Sequence, residues 1–266
     1  MRHVNNSSNN DLRLKILEMV SRSGEGHIPS SFSIVDIIEY LYRNELKFDV
    51  NVAESKDRDY FILSKGHGAA ALYVVLEKYG FVSDQDLALY GSIRGILGGH
   101  PDSTKVAGVE ASTGSLGHGL PMATGIALGK KIQKLSNKVF CLVGDGECQE
   151  GTVWESANIA SNQKLDNLTV IVDWNQSAQQ LMPIENLEAR WQSFGWVTSI
   201  ADGHSFESLK DSMADLNDIP SVGKPKVILA RTIKGKGVPF LEGHGIWHHK
   251  IPNSEELEQI RLLLNG

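Results

Sequence analysis

The chain has 266 residues, 41% hydrophobic and 22% charged, with 26 glycines, two cysteines and a formal net charge of −6. That length can bury a sizeable core, and the acidic balance excludes the basic surface that neutralises a nucleic-acid backbone. No apolar run approaches the ~20 residues of a membrane helix, and two cysteines make neither a disulfide framework nor a paired zinc motif.

Residues 1–10, "MRHVNNSSNN", read as a polar tail without the apolar stretch of a signal peptide, so a cytoplasmic chain is expected. Leu12, Ile16 and Val20 recur at helical spacing and predict a helix over 11–20. Ser33 and Asp36 have the spacing of a capping box, which predicts a second helix opening there, with Ile34, Ile37, Ile38 and Leu41 on its apolar side. "YFILS" (60–64) reads as a short buried strand, and "KGHGAAALYVVLEKYG" as a turn followed by a helix. The stretch 91–119 is rich in Gly and His with little periodicity, the kind of long loop that is usually functional or disordered. A helix at 120–133, a strand at 138–143, a helix at 152–162 and a strand at 168–173 follow. A strand at 196–200, a helix at 204–216, a strand at 226–233 and a helix at 254–264 complete the order. This alternation predicts a single α/β domain over 11–266, a doubly wound, mostly parallel sheet flanked by helices.

Within that order, "GDG" (144–146) stands just past one strand and Asn175 just past the next. Parallel strands joined by a crossover helix end on the same sheet edge, about 5 Å apart when adjacent and about 10 Å apart with one strand between. Asp145 and Asn175 are thereby brought together where open α/β sheets bind ligands. A carboxylate, an amide oxygen and a backbone carbonyl form a hard-oxygen site for Mg²⁺ or Ca²⁺. Gly144 and Gly146 let backbone N–H groups approach a phosphate, and the helix beyond offers its positive end. A "GDG" alone is also an ordinary tight turn; the second strand ending in Asn gives it meaning. Separately, His27, His67, His100 and His118 all lie in or beside Gly-rich turns, where imidazoles can donate to alkoxide oxygens or shuttle protons.

"GDG" followed about 30 residues later by Asn resembles the thiamine-diphosphate motif. The segments "SGEGHIPSS", "DRDYFILSKGHGAAALY", "GGHPD", "GVEASTGSLGHGL", "GDGECQEGTVWE" and "VILARTIKGKG" are similar, in order, to landmarks of the diphosphate-binding domain of transketolase. The resemblance implies that Asp145, Asn175 and the carbonyl of Ser177 hold Mg²⁺, for which Ca²⁺ or Mn²⁺ can substitute. It implies that Gly144, Gly146 and Glu147 stand at the diphosphate, and that Gly114, Ser115 and Leu116 lie along the cofactor. His27, His67 and His100 correspond to channel histidines, His67 also beside the cofactor. His248 is the expected C-terminal histidine near the diphosphate, with His244 and His249 as competitors. Glu150 and Glu155 correspond to acidic residues at a subunit interface. The chain departs from the family pattern at Ile28 and Pro29 after His27, at His118, and at Trp174 and Gln176 around Asn175.

In that family the cofactor's pyrimidine ring and activating glutamate belong to a second α/β domain, for which this sequence has no second run of elements. The resemblance therefore implies the N-terminal subunit of a split transketolase, inactive alone and assembled as α2β2 with a separately encoded C-terminal subunit. Its substrates would be sugars or sugar phosphates exchanging a two-carbon ketol unit. An α subunit of a 2-oxo acid dehydrogenase, or a non-catalytic cofactor-binding regulator, are the alternatives.

Overall fold

The computed structural model describes residues 9–50, 55, 57–178, 182–218, 223–243 and 245–266. Five strands form one sheet: β1 (Tyr60–Leu63), β2 (Val139–Gly144), β3 (Leu168–Trp174), β4 (Val197–Asp202) and β5 (Lys226–Arg231). Their order is β1-β2-β3-β5-β4, and every pairing is parallel. Strands buried on both faces read as continuous apolar runs, which is why "VFCLV" and "VILA" lack an alternating polar pattern.

The two faces nevertheless sort by period two. Phe61, Leu63, Phe140, Leu142, Ile171 and Ile228 face one core, shared with α1 (Asn10–Ser23), α2 (Ile28–Tyr40), α3 (Ala69–Lys78), α8 (Phe206–Asp218) and α9 (Ser254–Asn265). Ile62, Cys141, Val143, Val170, Val172 and Leu229 face the other, covered by α5 (Gly119–Ile132), α6 (Gly151–Asn162) and α7 (Leu187–Ser193). Each fully buried branched side chain contributes about 1.5–3 kcal/mol, so both layers are held largely by these contacts.

The expected strands and long helices are present, with ends moved by a few residues. The second helix is a correction. It does not open at Ser33 but at Ile28, with Pro29 in its first turn, where a missing N–H costs no bond. Ser33 and Asp36 are interior positions whose side chains make long-range contacts: Ser33 Oγ donates to Asp173 (2.5 Å), and Asp36 pairs with Arg13. A true capping box does occur, at Ser83 and Asp86, opening α4 (Asp84–Ala88). Neither α4 nor α7 is foreseen from the sequence; each spans fewer than two full turns, too short to show an apolar period. Residues 1–8 of the expected tail lie outside the described residues. Among the described residues, no helix is long and apolar enough to cross a membrane.

Candidate functional site

β2 and β3 are direct neighbours, in a register that sets Gly144 opposite Asp173. The backbone N–H of Asp145 donates to the carbonyl of Asp173 at 3.2 Å, so Asp145 leaves the sheet edge beside Trp174 and Asn175. Asp145 is 6% exposed; its Oδ1 accepts from the Gly146 N–H at 2.7 Å, its Oδ2 is buried with no well-formed hydrogen bond, and the Gln176 N–H also favours the ionised carboxyl. Burial, then the charge of Asp173, pushes the Asp145 carboxyl up to about 6. Asn175 Oδ1 accepts the Ser177 N–H at 2.9 Å, while its amide donates to Asp173 at 2.8 Å, which turns the amide oxygen toward the same loop. Gln176, between the two, takes the left-handed backbone conformation at φ +61°. Among the described residues, no three His, Cys, Asp or Glu side chains converge on a metal position. A buried carboxylate oxygen with no well-formed hydrogen bond, and with an amide oxygen nearby, suits a hard cation completed by backbone and phosphate oxygens.

Beneath these loops lies a polar layer that the sequence did not announce. Asp173 is fully buried and accepts from Lys65, Ser33, Thr232 and Asn175. Burial alone would raise its pKa, yet the Lys65 ammonium holds the carboxyl below its usual range. Lys65 sits in "SKGHG" and Lys234 in "TIKGKG", and burial followed by the charge of Lys65 lowers the Lys234 ammonium. The available signal was the presence of a lysine in each Gly-rich segment.

Glu147 braces three segments. One carboxylate oxygen accepts from Ser64 Oγ and from the Gly117 N–H (3.0 Å), the other from the Gly144 N–H (3.0 Å). With both oxygens engaged and 2% exposure, Glu147 positions the loops. Gly117 and Gly119 are required by the same closeness: a Cβ on Gly119 would lie 2.4 Å from Ser64 Cα, and one on Gly117 2.7 Å from Glu150 Cβ. Gly114, Ser115 and Leu116 remain exposed on this loop, so their surface is open to a ligand.

The histidines converge, though not in the set expected. His27 lies against His67 (ring centroids 5.3 Å), His248 (5.3 Å) and His249 (4.6 Å), and His67 lies 6.0 Å from His248. The His100 ring abuts Gly114, where an added Cβ would come within 3.0 Å. His118 instead bonds locally, to Ser115 Oγ and the Leu116 carbonyl, at the start of α5. Both His248 and His249 reach the cluster; only His248 also meets Lys234, whose Nζ lies 2.7 Å from His248 Nδ1. His244 lies outside the described residues. Burial, then His249 and His248, lowers His27 to about 4; burial, then Lys65, lowers His67 to about 2. Both are therefore neutral imidazoles near pH 7. Glu150 is half-buried against Gly117, and Glu155 is exposed on α6.

Comparison with known proteins identifies the family of the chain. Residues 4–264 match the family model described as transketolase, thiamine diphosphate binding domain. One subunit of the apulose-4-phosphate transketolase of Actinobacillus succinogenes is 38% identical over 253 residues, covering 93% of this chain and 91% of that one. The SqwG subunit of the 6-deoxy-6-sulfo-D-fructose transketolase of a Clostridium species is 35% identical over 253 residues, with the same two coverages. Human transketolase is 37% identical over 257 residues, but this chain spans only 40% of its length. The solved transketolase of Campylobacter jejuni superposes with a TM-score of 0.87 at 28% identity, over 97% of this chain and 42% of that one. With its strand-end Asp and Asn, its braced glycine loops and this likeness along nearly its whole length, the chain belongs to the transketolase family, as a thiamine diphosphate binding domain.

Proposed function

We propose that this protein is the diphosphate-binding subunit of a two-component transketolase, active only with a separately encoded C-terminal subunit. Two observations support the reading. The chain covers about nine tenths of relatives that are themselves named as single subunits of a transketolase, against 40% of a full-length transketolase. The buried Asp145 Oδ2, without a well-formed hydrogen bond beside Asn175, suits a cation that bridges to a diphosphate. Asp145, Asn175 and the Ser177 carbonyl would hold Mg²⁺, while Gly144 and Gly146 would let backbone N–H groups face the diphosphate. When bound, thiamine diphosphate supplies the nucleophilic carbon that lets a two-carbon ketol unit pass from a ketose donor to an aldehyde acceptor.

The chain's own residues bind and orient. His27 and His67, held neutral, can each offer one N–H and one lone pair to sugar oxygens without adding charge. Lys234 has only protons to give, so His248 Nδ1 accepts and Nε2–H is left as a donor. Replacing His27, His67 or His100 should cost about 10²–10³ in turnover if each stabilises developing charge. Losses below tenfold for all three in the assembled enzyme would remove that role.

The named substrates of the relatives point to an anionic ketose as donor. The test is a donor panel with the assembled enzyme: common ketose phosphates, apulose 4-phosphate and 6-deoxy-6-sulfo-D-fructose, each paired with an aldehyde acceptor. Ketol transfer from any of them supports the reading. Consumption of a 2-oxo acid with a lipoyl acceptor, and of no ketose, would replace it with the dehydrogenase alternative.

A further inference from the structure

Loop 232–236 carries Lys234, which meets His248, and several contacts fix that loop, among them the Gly243 N–H, which donates to the Lys234 carbonyl at 3.0 Å. Thr232 Oγ1 donates to Asp173 below the site, and the Gly235 N–H donates to the Pro29 carbonyl at 2.9 Å beside His27. A further contact comes from outside the site. The Ile233 N–H donates to Nε2 of His204 at 2.9 Å, and His204 lies between β4 and α8.

His204 is itself held. Its Nδ1 lies 2.7 Å from Asp36 Oδ2, its backbone N–H donates to Asp202 Oδ1 at 2.9 Å, and its side chain is 8% exposed. Because Nε2 accepts a backbone N–H, the ring proton must sit on Nδ1, pointing at Asp36. Asp36 is in turn fixed by Arg13 on α1 and by Asn9, whose amide donates at 2.8 Å. Arg13 also donates to the Phe32 carbonyl at 3.2 Å, which ties α1 to α2, the helix that opens just after His27. A carboxylate that fixes an imidazole's tautomer, with the imidazole's other nitrogen fixing a working group, is the usual arrangement for orienting functional residues.

We propose that His204 is a positioning residue. With Asp36 behind it, it holds the Ile233 amide so that Lys234 stands against His248 at the cofactor site. The consequence for catalysis rests on the transketolase reading; the clamp itself does not. The alternative is that His204 merely ties α1, α2 and α8 together.

Two variants separate these roles. His204→Asn places an amide near the position of Nδ1 and keeps a donor for Asp36, but it cannot reach Ile233. His204→Gln can set its amide oxygen near the position of Nε2 and accept the Ile233 N–H. Amide hydrogen exchange on the isolated chain should show residues 233–235 exchanging about tenfold faster in His204→Asn, with α1 and α2 still protected and His204→Gln close to wild type. In the enzyme assembled with its C-terminal subunit, His204→Asn should lower kcat about tenfold, while His204→Gln should stay within about threefold of wild type. Unchanged exchange at 233–235 in His204→Asn would overturn the proposal. So would equal activity losses in both variants that track their melting temperatures. If wild type transfers no ketol unit from any donor, the function is wrong, and hydrogen exchange still decides the clamp.

Discussion

Asp145 and Asp173 stand at neighbouring strand ends, and their surroundings drive them in opposite directions. Asp173 has Lys65, two hydroxyls and an amide around it and is held ionised. Asp145 keeps one oxygen without a well-formed hydrogen bond, and burial raises it to about 6. Removing Lys65 would leave the buried carboxylate uncompensated, so Lys65→Met should cost about 3–5 kcal/mol in urea unfolding. Asp145→Ala should leave the fold standing but abolish the rise in melting temperature expected when thiamine diphosphate and Mg²⁺ are added to this chain with its C-terminal partner. A ligand at a hundredfold its Kd stabilises by about 2.7 kcal/mol, well within reach of a thermal scan. The histidines give a pH signature. A folded-state pKa below the unfolded value of 6.5 means that the unfolded chain binds more protons, so stability is full above that value and falls as pH drops toward about 4 for His27. His67, lowered further, acts in the same direction, and His67→Gln should therefore flatten the loss of urea resistance between pH 6.5 and 4. An unchanged acid slope would show that other groups carry it. Asp145, Asn175 and the histidine-bearing glycine turns were legible in the sequence because turn chemistry marks them. Asp173, Lys65 and Lys234 were not, since a buried ion pair leaves no local pattern when its partners are 108 residues apart.

At the scale of elements, the strands were the easiest part to read. Apolar runs bounded by Gly and Asp have few alternatives, and the β2–α6–β3 unit follows from them. Helix starts were harder. Ser33 and Asp36 satisfy the capping spacing, yet their side chains are taken by Asp173 and Arg13, partners that no local window contains. His118 reads as one of four converging imidazoles because it shares their glycine-rich setting. Its hydrogen bonds to Ser115 and Leu116 turn it aside, while His249, far along the chain, takes a place in the cluster. The loop-on-loop packing makes its own prediction. Gly119→Ala would drive a methyl group into Ser64 and shift the first turn of α5, costing about 1–3 kcal/mol in urea unfolding. Gly125→Ala on the same helix has open space around its added carbon and should be neutral or slightly stabilising.

At the scale of the whole molecule, the sheet and its two cores form a thiamine diphosphate binding domain. The glycine loop that would lie along the cofactor presents Leu116, 43% exposed. The most direct measurement is ketol transfer in the presence of thiamine diphosphate and Mg²⁺, with this chain alone and with a separately produced transketolase-like C-terminal subunit. Activity that appears only in the mixture, and is lost with Asp145→Ala, is the predicted result. Turnover by the isolated chain would contradict the division of the site between two subunits.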